Sequence, residues 1–334
     1  MKKLLALTLA GLLASPALAQ DAKVETVVNG LNNPCAIAIQ PETGHVFVAD
    51  SGAGRVVRIV EGKIEPVITG SPKDIYGKGP MYDVGPMGLA FLDKNTLVVG
   101  DGGYKDGEEC LRVFTVPAAG SAPLNYEKDA LAKTNPLTAT DDLKPEGNLY
   151  ALAVTKNAVY VTCNGDDTKG WVSKADVNGT KLGELKRAIA TKEATNVDAP
   201  VGIAVSPEGH IVIGQMGEIN LPNDSLLTFY SAKDGKMLMN LTTNLFDISG
   251  LAYSPTKKQL YATDFAWMKL EDGGLFRLDK SGANAVKAVK IASLDKPTAI
   301  AFGSDGTCYI TVIGTKKEGS DQPAGALLKI APGL

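Results

Sequence analysis

The chain has 334 residues, 44% of them hydrophobic and 6% aromatic, with 36 Gly and 18 Pro. Such length and apolar content bury a large core, which excludes a disulfide miniprotein and a disordered tail. Lys and Arg number 34 against 37 Asp and Glu, a net charge of −3, and an acidic balance argues against nucleic acid as a partner.

Residues 1–19, MKKLLALTLAGLLASPALA, place Lys2 and Lys3 before the apolar run Leu4 to Leu13, followed by Pro16 and the small residues Ala17 and Ala19. This is the pattern of a secretory signal peptide, with cleavage expected before Gln20. The apolar run is about half of the ~20 residues a spanning helix needs. The expectation is therefore a bacterial periplasmic or secreted protein with no membrane span after signal cleavage. Four cysteines follow, Cys35, Cys110, Cys163 and Cys308, at gaps that match no metal-ligand spacing. Cys308 stands where other repeats place Val, Leu or Ile, as a buried small hydrophobe does. Whether Cys110 and Cys163 bond is left open by the sequence.

A short apolar strand opened by a small residue recurs six times, as AIAI from Ala36, GLAF from Gly88, ALAV from Ala151, GIAV from Gly202, GLAY from Gly250 and AIAF from Ala299. The central alanines, Ala38, Ala90, Ala153, Ala204, Ala252 and Ala301, are separated by 52, 63, 51, 48 and 49 residues. After a turn, each copy continues into a second apolar strand, ending at Asp50, Asp101, Cys163, Gln215, Asp264 and Val312. A third, alternating strand comes next, for example RVVRIV from Arg55 and GLFRLD from Gly274, and a weaker fourth such as IEPVIT from Ile64. Four-stranded units at this period are propeller blades. The last repeat supplies three strands before Leu334, and KVETVVNG, Lys23 to Gly30, has a fourth-strand pattern. The sequence thus predicts an all-β fold over residues 20–334, a six-bladed β-propeller whose N-terminal strand completes the last blade and closes the ring. Helix is expected to be scarce.

The stretches AIAIQPETGHVFVADSGAGRVVRI, Ala36 to Ile59, and GLAYSPTKKQLYATD, Gly250 to Asp264, resemble NHL repeats and the six-bladed gluconolactonase or regucalcin-like propellers. In the lactonases the resemblance implies a divalent metal held by Glu, Asn and Asp just before the small residue of an inner strand. The equivalent positions are Cys35, Met87, Tyr150, Val201, Ser249 and Thr298, none a carboxylate or amide. The nearest carboxylates, Asp83, Glu146, Asp198, Asp247 and Asp295, stand a few residues upstream. The opening GLNNPCAIAIQPETGHVFVAD, from Gly30, also resembles quinone-dependent sugar dehydrogenases, for which a catalytic His at the mouth is implied. The two histidines, His45 and His210, start second strands, on the opposite face, and their scarcity excludes a Ser-His-Asp device.

The loops after second strands and the links between blades share one face, the expected mouth. They carry the candidate ligand-binding residues Asp50, Asp101, Glu146, Asn164, Gln215, Asp264 and Trp267. For Asp50, Asp101 and Asp264 the competing reading is a turn cap that accepts backbone N–H bonds, and for Trp267 burial between blades. The long excursions Ser71 to Pro86 and Pro117 to Gly147, the second expected to include the outer strand of blade two, suit lids, binding elements or disordered segments. DGGYKDGEE, Asp101 to Glu109, fails the donor spacing of a calcium loop. The favoured reading is an exported binding module whose acidic mouth holds a small polar molecule, a glycan or a protein segment. The alternative is a lactonase-type hydrolase with a nonstandard metal site, and a weaker third is a structural partner in an envelope assembly. No cofactor is expected, with calcium left open as a cation for the carboxylates.

Overall fold

Alternating apolar residues, broken by turns rich in Gly, Asn and Asp, put most of the chain into antiparallel hairpins. A computed structural model describes residues 22–77 and 80–334. The signal peptide expected over residues 1–19 lies outside the described residues. Strand β1 spans Val24–Leu31, and blade one follows as β2 (Pro34–Ile39), β3 (Val46–Asp50), β4 (Arg55–Val60) and β5 (Lys63–Thr69). A hairpin, β6 (Asp74–Tyr76) and β7 (Tyr82–Val84), leads into blade two. That blade holds β8 (Leu89–Phe91), β9 (Thr96–Gly100) and β10 (Leu111–Thr115). Its long excursion forms β11 (Leu124–Asn125), which pairs in parallel with β5 of blade one, before β12 (Ala132–Lys133) serves as the outer strand. The expected outer strand of blade two is thus present but only two residues long, because the chain is diverted to its neighbour.

Blade three comprises β13 (Leu152–Val154), β14 (Ala158–Thr162), β15 (Trp171–Asn178) and β16 (Lys181–Ala190), followed by a five-residue helix, Thr191–Thr195. Blade four is β17 (Pro200–Val205), β18 (Ile211–Gln215), β19 (Leu226–Tyr230) and β20 (Met237–Thr242). Blade five is β21 (Ile248–Tyr253), β22 (Leu260–Asp264), β23 (Gly274–Lys280) and β24 (Val286–Ser293). Blade six has β25 (Pro297–Phe302), β26 (Cys308–Val312) and β27 (Gly325–Ile330), and β1 pairs antiparallel with β27. The ring is closed as the repeat arithmetic required, β1 supplying the fourth strand that blade six lacks.

Six inner strands converge on the axis, where backbones approach too closely for large side chains. A Cβ on Gly250 would meet Thr263 Oγ1 at 2.8 Å and Ala299 Cα at 3.2 Å, and one on Gly88 would meet Leu149 O and Tyr150 O, both at 3.0 Å. Hydroxyls stitch neighbouring blades at this radius: Thr162 Oγ1 donates to Val201 O (2.9 Å), Ser249 Oγ to Pro297 O (2.7 Å) and Thr298 Oγ1 to Pro34 O (2.6 Å). All four cysteines are buried and unbonded, so Cys110 and Cys163 stay thiols, and Cys308 is a core residue. No described helix is long and apolar enough to cross a membrane.

Val28 and Leu31 of the closing strand pack with Ile37, Val48 and Leu327. Leu31→Ala is expected to cost about 2–5 kcal/mol, as for other fully buried leucines, and deletion of residues 23–31 to abolish cooperative unfolding. Urea denaturation checks both, and an unchanged midpoint in either would show that the ring does not depend on its closure.

Candidate functional site

Two residues before each position facing the axis, the backbone turns left-handed in four blades, at Asn33 (φ 48°), Asn148 (48°), Ala199 (52°) and Lys296 (56°). Asn tolerates this region better than most residues, since its short amide hydrogen-bonds locally. The turn delivers Cys35, Tyr150, Val201 and Thr298 to the axis, where they meet Met87 and Ser249 on the floor of one pocket. The six positions derived from the repeat therefore do converge. The pocket encloses about 710 Å³ of atom-free space, its open mouth included. Tyr150 reaches from blade three across the bore and donates its hydroxyl to Thr298 O of blade six, at 3.1 Å.

Aromatic side chains form the walls. Tyr76 and Tyr82 come from the β6–β7 hairpin, Phe265 and Trp267 from the loop after β22. The Trp267 ring lies 4.6 Å from Phe265 and 5.6 Å from Tyr82, centroid to centroid. On the other side of the mouth Asn164 Nδ2 donates to Tyr76 Oη at 2.7 Å. The hairpin is thus pinned to blades three and five over the pocket. Cys35, its thiol buried and donating to Asn33 O at 3.4 Å, is pushed up to about 12 by burial and is no nucleophile at neutral pH.

Three buried polar atoms on lining residues have no hydrogen-bond partner among the described residues: Asn33 Oδ1, Tyr82 Oη and Trp267 Nε1. Asn33 is only 6% exposed, and its Nδ2 donates to Asp83 O at 2.8 Å, which fixes the amide and leaves the oxygen over. Burying such an atom unsatisfied costs about 1–3 kcal/mol. An acceptor, an indole donor and a phenol that can be either are thus left unpaired on residues that line one aromatic enclosure.

Of the residues the sequence singled out, Asn164 and Trp267 line this pocket and five do not. Asp50 accepts from Asn32 N (2.6 Å) and Arg55 Nε (2.7 Å). Asp101 accepts from Cys110 N, Arg112 Nε and Tyr126 Oη within a buried cluster. Asp264 takes Asp247 N (2.7 Å) and Phe246 N (3.0 Å), and Asp247 in turn takes Trp267 N (2.6 Å), so these two carboxylates position the indole without facing the pocket. Gln215 donates to Thr195 Oγ1 and Val197 O, and Glu146 accepts from Gly165 N. Each satisfies the inter-blade link or the loop beside it, whose peptide groups have no strand partner. Acidic character survives to one side, where Asp106, Asp167, Asp198 and Glu218 surround Lys192 in a hollow beside blades three and four. Among the described residues no three His, Cys, Asp or Glu come together to hold a metal ion. The sequence reading passed over Asn33, Tyr76 and Tyr82; an Asn-Pro pair just ahead of an inner strand and the tyrosines of the Ser71–Pro86 excursion were the available signals.

Burial pushes Glu146 up to about 8 and Asp247 up to about 7, and burial with the Asp101 charge pushes Glu109 up to about 9. Their folded forms hold protons that the unfolded chain has released above its ordinary carboxylate range near pH 4. Stability from these groups is full below that range and is lost as pH rises toward 9. Thermal melts between pH 5 and 9 are expected to fall with pH, and Glu146→Gln to flatten the slope. A midpoint that climbs over this interval would contradict it. Asp264→Ala is expected to destabilise by about 1–3 kcal/mol for each N–H left without an acceptor, and a melting temperature equal to that of the parent would restore Asp264 to a solvent-facing role.

No family model matches the sequence, and no curated protein does. Solved structures do match in fold. The chain is similar to the PQQ-bound aldose sugar dehydrogenase from Streptomyces coelicolor, at 14% identity over 93% of this chain and 99% of that one, TM-score 0.61. It is similar to the gluconolactonase from Xanthomonas campestris, at 14% identity over 95% and 92%, TM-score 0.59, and to the soluble aldose sugar dehydrogenase from Escherichia coli, at 13% over 93% and 100%, TM-score 0.59. At such identities the likeness carries architecture alone: the chain is a six-bladed β-propeller, built like the gluconolactonase and aldose sugar dehydrogenase propellers.

Proposed function

We propose that the protein is an exported binding module that takes a small, ring-shaped polar molecule of the sugar class in its axial pocket. The orphaned trio Asn33 Oδ1, Tyr82 Oη and Trp267 Nε1 carries this reading. A bound hydroxyl can donate to the Asn33 oxygen, another can accept from the indole, and the apolar face of a pyranose fits against Trp267 and Tyr82. Among the described residues the pocket lining contains no charged side chain, which suits a neutral polyol and gives no purchase on a phosphate. That the fold neighbours are sugar dehydrogenases and a gluconolactonase supports the same ligand class, and the signal-peptide pattern supports export.

A second reading, lactone hydrolysis, is favoured by the likeness to the gluconolactonase. The residues present do not fit a resident metal of the kind that fold implies. The six axial positions offer a thiol, a thioether, a phenol, a valine and two hydroxyls, and the hydroxyls of Ser249 and Thr298 already donate across blades. Hard cations need several oxygen ligands. The quinone of the dehydrogenases fits no better, because it is a tricarboxylate and among the described residues the lining holds no Lys, Arg or His.

Trp171 and Trp267 are the two tryptophans, so a Trp171→Phe background makes fluorescence report on the pocket. A panel of neutral hexoses and hexonolactones is expected to quench it saturably. Asn33→Ala is expected to weaken binding about tenfold, ~1.4 kcal/mol, the worth of one hydrogen bond. If no member of the panel binds, or Asn33→Ala binds like the parent, the reading fails. Lactone turnover above the spontaneous rate, lost on chelation, would replace it with the second.

A further inference from the structure

Hydrogens on the floor of the axial pocket are already spent within the protein. Tyr150 Oη donates to Thr298 O at 3.1 Å, Cys35 Sγ to Asn33 O at 3.4 Å, Ser249 Oγ to Pro297 O at 2.7 Å and Thr298 Oγ1 to Pro34 O at 2.6 Å. Behind the last two stand threonines of the second strands, Thr263 Oγ1 at 3.0 Å from Ser249 Oγ and Thr311 Oγ1 at 2.9 Å from Thr298 Oγ1. A hydroxyl has one hydrogen, so with those of Ser249 and Thr298 committed across blades, the threonines are the donors to them. The remaining floor residues, Met87 and Val201, are buried and carry no polar hydrogen. Among the described residues the six blades thus supply a floor with no side-chain hydrogen left for a ligand. The apolar surface continues upward through Val84, Met216, Phe265 and Ile313. By contrast, the unpaired atoms Asn33 Oδ1, Tyr82 Oη and Trp267 Nε1 belong to a blade link, a hairpin and a loop at the mouth end of the pocket.

We propose that the sugar enters with an apolar end first and that the preferred ligands are 6-deoxyhexoses, the methyl group resting on the floor while ring hydroxyls meet Asn33 and Trp267. This deepens the sugar-class reading and rests on it. In an ordinary hexose the same position carries a hydroxyl, which gives up water and finds no donor at the floor. A methyl group loses no hydrogen bond and gains contact with Met87 and Val201.

Calorimetry on pairs of sugars that differ by one oxygen tests the proposal: L-rhamnose against L-mannose, L-fucose against L-galactose and D-fucose against D-galactose. At least one 6-deoxy member is expected to bind, and to bind about tenfold or more tightly than its 6-hydroxy counterpart. Val201→Thr keeps the shape of the side chain and puts a hydroxyl on the floor, and Met87→Gln puts an amide there from another blade. Either variant is expected to bring the ratio within the pair below about threefold, whereas Asn33→Ala weakens both members alike and preserves it. A ratio near one in the parent protein, or one that survives both floor variants, would overturn the proposal and leave the sugar site standing. Failure of all these sugars to bind would overturn it together with the reading beneath it.

Discussion

Crowding at the axis is the constraint from which the rest of the molecule follows. Six strands that approach one line leave room for backbone and for small side chains only, so alanine and glycine recur at the same point of every repeat. With side chains removed, cohesion there comes from polar stitches between blades, through Thr162, Ser249 and Thr298, and from apolar layers farther out. A ring of this kind has no privileged sheet, and β1 closing on β27 makes the last blade equivalent to the others. The same narrowing creates the pocket, because the residue just ahead of each small one is the first with space to point inward.

The mouth is acidic in sequence and largely neutral in its depth, and peptide chemistry accounts for the difference. Links between blades cannot pair within a sheet, yet they run close to the core, and their N–H groups need acceptors. Asp50 and Asp264, together with Glu146 and the amide of Gln215, occupy the strand ends and loops where this need arises. What faces the ligand space is what those links did not consume: amides on left-handed turns, and aromatic rings from two loops.

The architecture could be read from the chain because it is written six times, and period and hairpin pattern reinforce each other at each copy. The closing strand was legible for the same reason, as a fourth-strand pattern with no blade of its own. The site is written once. Trp267 and Asn164 were found because they sit in loops at the correct end of the ring, but an aspartate at a strand terminus looks the same whether it points at solvent or at a neighbouring peptide. Asn33 owes its place to a left-handed turn that a single sequence signals only as Asn before Pro, and Tyr76 and Tyr82 to a hairpin in a stretch without repeat counterparts. The detour of β11 onto blade one escaped notice because two residues of parallel pairing leave no periodic trace.

Tyr150 has a consequence for traffic through the molecule. Propellers are often pictured as tubes, yet here a phenol is laid from wall to wall between the axial pocket and a cavity among the inner strands. The upper opening lies beside the hairpin held by Asn164 and Trp267. A solute crossing from one side of the disc to the other would have to displace that phenol, and with it a tie between blades three and six.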